Sequence, residues 1–159
     1  MKLATLLCFA PALAACNTGS ECGPGKAVVD RVIDGDTIVL DSGEKIRYLE
    51  MNAPEITNGH NDCYGQEAAQ FNSDLVLGKE VTLRYDVDCT DKYGRLLAYV
   101  SVGGREVNSL LVERGYACVL VIPPNGADRA DEFNALENVA KDAGAGMWGD
   151  GVCQVITCE

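Results

Sequence analysis

Residues 27–52, AVVDRVIDGDTIVLDSGEKIRYLEMN, decide the fold of this chain. Branched apolar and polar residues alternate along the run, and a period of two marks strands with one buried face. Two glycine-containing turns, Asp34-Gly35-Asp36 and Asp41-Ser42-Gly43, divide it into three. Each turn is flanked by strand formers, which predicts three antiparallel strands.

Downstream, Ala68, Ala69, Phe71, Leu75 and Val76 recur at helical spacing, so a helix is expected over residues 64–77, stopped by Gly78. Strands resume at KEVTLRYDV (79–87) and, after a polar loop with Cys89, at RLLAYVSV (95–102). A Gly103-Gly104 turn leads to a second helix over 107–114, closed by Gly115. A third helix is expected over 128–141, where acidic residues in the first turn favour the helix dipole. Five strands, a helix after the third and two helices near the end predict an α+β domain: an OB-type five-stranded β-barrel with three helices.

Upstream, MKLATLLCFAPALAAC has one lysine, an apolar run and then small residues, the layout of a secretory signal rather than a membrane span. Leu13-Ala14-Ala15-Cys16 resembles a bacterial lipobox, with cleavage before Cys16 and acylation of that cysteine. Ala12-Leu13-Ala14 also suits ordinary signal peptidase and free secretion. Of the eight cysteines, lipidation of Cys16 leaves an even set in the mature chain: Cys22, Cys63, Cys89, Cys118, Cys153 and Cys158. In an exported domain these read as structural disulfides. Their pairing stays open, though Cys153 with Cys158 would close a short loop. The expected organisation is a signal over 1–15, a spacer over 16–27, one domain over 28–149 and a cysteine-containing tail over 150–159. The expected location is the cell envelope, through a lipid anchor on Cys16, or the medium. No obligate protein partner is implied.

A chain of 159 residues, 47% hydrophobic, suits one packed domain. Its formal charge is −11. Such a surface repels a polyanion at long range, so any binding of nucleic acid must rest on a local cationic pocket, with or without a metal. His60 is the only histidine. That excludes two-histidine acid/base nucleases, Ser-His and Cys-His hydrolases and histidine-rich zinc sites. His60 itself, between Asn58 and Asn61, reads as a solvated loop residue.

Three clusters remain. Asp34-Gly35-Asp36-Thr37 is either a hairpin turn or a source of oxygen ligands for a hard cation. Arg47-Tyr48-Leu49-Glu50-Met51-Asn52-Ala53-Pro54-Glu55 ends a strand in a proline-fixed turn. A phosphate held by Arg47 would lie near a base at Glu55, or the two form an ordinary loop salt bridge. Thr90-Asp91-Lys92-Tyr93-Gly94-Arg95 is either a charged turn or a donor set for phosphate.

In this order, IDGDT, R-x6-PE and TDKYGR resemble the thermonuclease (staphylococcal nuclease-like) family. LLAYVSVGGREVNSLLVERGYA and GMW agree, so the resemblance runs from about Val28 to Gly149. It implies a calcium-dependent nuclease that cuts DNA and RNA, single-stranded or frayed, to 3′-phosphates. In that likeness Asp36 ligates calcium, Asn52 and the Ala53 carbonyl complete the protein ligands, Asp34 lies beside the site and Thr37 supports the metal's water shell. Arg47 and Arg95 stabilise phosphate charge, Glu55 is the general base, and Lys92 and Tyr93 contact a terminal phosphate.

Two departures stand out. The family commonly has an aspartate where this chain has Asn52, which removes one negative charge from the metal site. On a regular strand Glu50 shares a face with Asn52 and would compensate. In CVLVIPPNG, Leu120, Val121 and Ile122 replace base-packing tyrosines, so stacking on the nucleotide should weaken. The loop over 57–63 is short, and a Cys63–Cys89 bridge would join the two sides of the presumed cleft. The alternative reading is an OB-fold module that binds nucleic acid or protein with little chemistry.

Overall fold

The computed structural model describes residues 22–156. The expected leader, the Cys16 anchor and Cys158 lie outside the described residues. Strands β1 (Lys26–Val32), β2 (Thr37–Leu40) and β3 (Lys45–Tyr48) form the antiparallel meander expected from residues 27–52. There follow β4 (Met51–Asn52), α1 (Gly65–Val76), β5 (Glu80–Arg84), β6 (Leu96–Val102), β7 (Arg105–Glu106), α2 (Val107–Glu113), β8 (Cys118–Val119) and α3 (Ala130–Asp142).

β1 pairs with β5 and β5 with β6, both antiparallel. β6 then returns to β3 in parallel, with Arg47 opposite Leu97, and the five strands close into a barrel. Closure leaves no long open edge. Ile38, Leu40, Ile46, Tyr48, Val81 and Val100, none more than 2% exposed, belong to one core with Leu111 of α2 and Phe133 of α3. Each large apolar side chain so buried contributes about 1.5–3 kcal/mol relative to exposure.

α1 buries Ala68 and Val76, and also Asn72. The Asn72 amide donates to the Asp34 carbonyl at 3.1 Å, and its oxygen accepts from the Tyr48 hydroxyl at 2.9 Å. The helix thereby pins the turn that carries the two aspartates.

The strand expected to continue to Asn52 breaks at Glu50, which takes a left-handed φ of 65°. The disulfides also differ from expectation. Cys22 pairs with Cys89 and Cys63 with Cys153, and Cys118 is disulfide-bonded as well. Neither the Cys63–Cys89 nor the Cys153–Cys158 bridge forms, because a turn with Val152 N–H on the Gly149 carbonyl brings Cys153 to the 57–63 loop. The described part of the expected spacer is tied to the barrel through Cys22 and merges into β1.

Candidate active site

The barrel register assembles the first half of a site. Thr37 lies opposite Arg47 across β2 and β3, and Tyr48 N–H donates to the Asp36 carbonyl at 2.9 Å. Asp36 therefore sits against the Arg47 guanidinium, with Nε 3.2 Å from Oδ1. Thr37 Oγ1 donates to the same oxygen at 2.9 Å, and the Ala53 N–H donates to Oδ2 at 2.8 Å. Gly35 separates the two acids because a Cβ there would collide with those of Ala53 and Ala68. Arg47 also donates through Nη1 to the carbonyls of Tyr48 (2.7 Å) and Met51 (2.8 Å), and through Nη2 to Asn52 Oδ1. A guanidinium has five N–H groups, so a single Nη2 N–H is left over.

The second half is built on loops. Glu55 Oε1 accepts from Ile56 N–H (2.9 Å), Thr57 N–H (2.7 Å) and Thr57 Oγ1 (2.6 Å). Oε2 has no protein donor among the described residues. Desolvation pushes the Glu55 carboxyl upward, but the Thr57 and Ile56 bonds and nearby His60 outweigh it and hold the group below its ordinary range. Asp62 fastens the loop: its Oδ2 accepts from Glu55 N–H at 3.2 Å, and its N–H returns to the Glu55 carbonyl at 2.9 Å. Arg95 precedes β6 and donates from Nε to Asp91 Oδ2 at 2.7 Å. Asp91 Oδ1 takes the backbone N–H of Tyr93 and of Arg95. Both Nη groups of Arg95 are without protein partners among the described residues.

A cleft of about 420 Å³ is lined by Asp34, Asp36, Asn52 and Ala53, by Arg47 and Arg95, and by Glu55. Tyr93 reaches it, whereas Thr37 lies buried behind Asp36. His60 and Asp62 line it too: His60 is the exposed loop residue expected, at the mouth of the cleft, whereas Asp62 carries no signal in the sequence. Thr57, Asp91 and Asn72 were also missed, although Asp91 at i,i+4 to Arg95 and Thr57 two residues after Glu55 carry a readable local signal. Burial, then the charge of Asp36, push Asp34 up to about 7. Two carboxylates held this close in a shielded turn favour a proton or a cation between them.

Glu50 does not join the metal side. Its left-handed backbone turns the carboxylate against Gly126, where no Cβ would fit, and the residue is 2% exposed. Neither oxygen finds a hydrogen-bond donor. Burial raises it to about 7, with Arg129 opposing and Asp86 adding to the shift. The expectation that Glu50 shares a face with Asn52 is corrected accordingly, since strand alternation fails at a positive φ.

A second cavity of about 540 Å³ shares Arg47, Tyr93 and Arg95 with the cleft. Lys92, Leu120 and Ile122 line it, and Val121 does not.

Residues 45–150 match the family model described as staphylococcal nuclease homologue. The chain is 40% identical over 127 residues to the endonuclease YncB of Bacillus subtilis (strain 168), covering 76% of this chain and 60% of that protein. It is 39% identical over 127 residues to the SPbeta prophage-derived endonuclease YokF of the same strain, covering 76% and 43%. It is 38% identical over 122 residues to the thermonuclease of Staphylococcus intermedius, covering 73% and 70%. The chain thus spans less than two thirds of the length of the two Bacillus proteins.

Proposed function

The chain belongs to the family of staphylococcal nuclease homologues, and from that premise we propose that it is an exported, calcium-dependent nuclease hydrolysing phosphodiester bonds of DNA and RNA to 3′-phosphates. The observation that carries this reading is the meeting of Glu55, Arg47 and Arg95 in one cleft with Asp36, Asn52 and Ala53.

No group of three or more acidic, histidine or cysteine side chains that could hold a metal lies together among the described residues. The available donors are oxygens: Asp36, the Asn52 amide, the Ala53 carbonyl and Asp34 nearby. That set fits a hard cation held by few protein ligands and several waters, and the raised Asp34 supports the fit. Calcium, when bound there, supplies positive charge to a non-bridging phosphate oxygen.

The rest of the chemistry falls to the chain. Arg95 presents both Nη groups and Arg47 its remaining N–H, which suits charge developing on the equatorial oxygens. Glu55 takes the proton of the attacking water at Oε2, the oxygen without protein donors. Its lowered pKa keeps it ionised at neutral pH. The deprotonated water adds to phosphorus, the bond to the 5′-oxygen breaks, that oxygen takes up a proton from solvent, and the phosphate stays on the 3′ side. The acidic surface disfavours tracking along duplex, so the substrate is single-stranded or frayed.

Export belongs to the same proposal and is supported by the disulfides. Among the described residues no helix is long and apolar enough to cross a membrane. Attachment would rest on acylation of Cys16, with free secretion the other processing outcome.

The test is cleavage of heat-denatured DNA by disulfide-intact protein, with calcium, with chelator, and with Glu55→Gln in parallel. The expected result is calcium-dependent cleavage that falls about 10²–10⁴-fold in the variant. A folded protein that cuts nothing at high calcium overturns the reading and leaves the binding module in its place.

A further inference from the structure

Both described disulfides end on loops that carry catalytic side chains. Cys89 immediately precedes the 90–95 segment, and Cys63 immediately follows Asp62. The second case goes further, because of how little else fixes that loop. Residues 58–61 are exposed, and His60 N–H on the Thr57 carbonyl is a local turn. Asp62 makes the hydrogen bonds that join the far end of the loop back to Glu55, where Gly65 at the start of α1 packs closely on Pro54 and Ile56.

The other end of the bridge follows a segment anchored at Met147. Met147 is 1% exposed and its N–H donates to the Gly115 carbonyl at 2.9 Å. The turn from Gly149 to Val152 then delivers Cys153. The bridge therefore connects the loop holding the base to that segment on the α2–α3 side of the molecule.

Resting on the nuclease reading, we propose that the Cys63–Cys153 disulfide positions Glu55, and that breaking it leaves a folded, calcium-binding protein with little turnover. The metal side does not depend on this loop: Asp36 is held by Thr37, Arg47 and the Ala53 N–H, all on the barrel side. Loss of the bridge should therefore act on the chemical step and spare metal binding. Misplacing a catalytic group by about 1 Å costs up to about 100-fold.

The bridge is also open to reductants. Cys63 is exposed and Cys153 partly so. A dithiol breaks the S–S bond by delivering two electrons and two protons, forming two cysteine thiols and closing its own disulfide. The nuclease would then be slack in a reducing compartment and set in an oxidising one.

The experiment compares wild type, Cys63→Ser/Cys153→Ser, Glu55→Gln and the triple variant. It measures kcat and KM on heat-denatured DNA, calcium Kd by calorimetry, and folding by circular dichroism. In the double variant kcat should fall about tenfold or more, with KM and calcium Kd within about twofold. In the Glu55→Gln background, bridge removal should cost nothing further. Wild-type turnover in the double variant overturns the proposal, as does an equal loss with or without the Glu55 carboxylate, the signature of a merely structural bridge. If the double variant fails to fold, Asp62→Ala with the bridge intact carries the test. It removes the Oδ2 bond through which the bridge reaches Glu55 and leaves the backbone bond between the two residues, so kcat should fall, and unchanged turnover overturns the proposal. An inactive wild type with calcium would instead sink the nuclease reading itself.

Discussion

The barrel side and the loop side of the cleft are held by different means. On the barrel side, Asp36 and Arg47 are knitted by strand register into bonds with Thr37, Tyr48, Met51, Asn52 and Ala53. On the loop side, Glu55 rests on the two residues that follow it and on Asp62, and Arg95 rests on Asp91, with its guanidinium over the Tyr93 ring. The two arginines are consequently unequal. Arg47 has most of its donors committed inside the protein and shapes the site, while Arg95 keeps its planar fork for the phosphate.

The sharpest way to break this comparison is a matched pair of substitutions. Arg95→Lys removes the fork, and kcat should fall about 100-fold with little change in Tm, because Asp91 remains partly solvated. Arg47→Lys should lower both turnover and Tm. A lysine supplies three donors at one point and leaves buried carbonyls and the Asp36 carboxylate short of partners, a cost of about 1–3 kcal/mol for each group stranded. Thermal unfolding and steady-state kinetics on both variants settle the matter. Equal Tm losses would mean that the arginines play the same part.

The same inequality explains what could be read from the chain. The meander follows from alternation and turn chemistry in residues 27–52, and the helices from apolar spacing further along the chain, which are local and periodic signals. Glu55 and Arg95 were legible through their motifs, and so was the cluster around them. The bonds that hold them were not. Asp62 acts through a non-periodic loop, and Cys153 reaches Cys63 across 90 residues. Asn72 reads as one more position on a helix until its amide meets the Asp34 carbonyl. Nothing in a run of alternating residues announces the left-handed turn at Glu50.

The barrel side can be probed through its proton. Asp34 is raised to about 7 from an ordinary 3.8, so between these values the folded protein holds a proton that the unfolded chain has lost. The cost of this group to folding is full above pH 7 and is relieved steadily as pH falls from 7 toward 4. A bound cation competes with that proton. The rise in Tm produced by calcium should therefore be larger at pH 8 than at pH 5, measured by differential scanning fluorimetry across that range. A rise independent of pH would detach Asp34 from the metal.

The loop side has a titration of opposite sign. Glu55 is held below its ordinary range, so the ionised base is present at neutral pH and is lost only as pH falls through the lowered value. Thr57→Val keeps the side-chain shape and removes the 2.6 Å bond to Oε1. The acid limb of the kcat/KM profile should then move to higher pH. An unmoved limb would mean that the backbone N–H groups of Ile56 and Thr57 suffice.

The smallest effect is expected at Glu50, and its smallness is what makes it decisive. Read as a strand residue two places before Asn52, Glu50 would restore the negative charge missing there, and Glu50→Gln would raise the calcium needed for half-maximal cleavage. Read from the folded chain, its carboxylate faces Gly126 and is influenced by Arg129 and Asp86. Glutamine keeps the shape and removes only the charge, so the calcium midpoint should stay within about twofold of wild type, well inside the tenfold that about 1.4 kcal/mol of lost binding would produce. A tenfold rise would show that charge two residues away along the chain reaches the metal in spite of the reversed side chain, and the division of the cleft into a barrel side and a loop side would then have to include the strand break between β3 and β4.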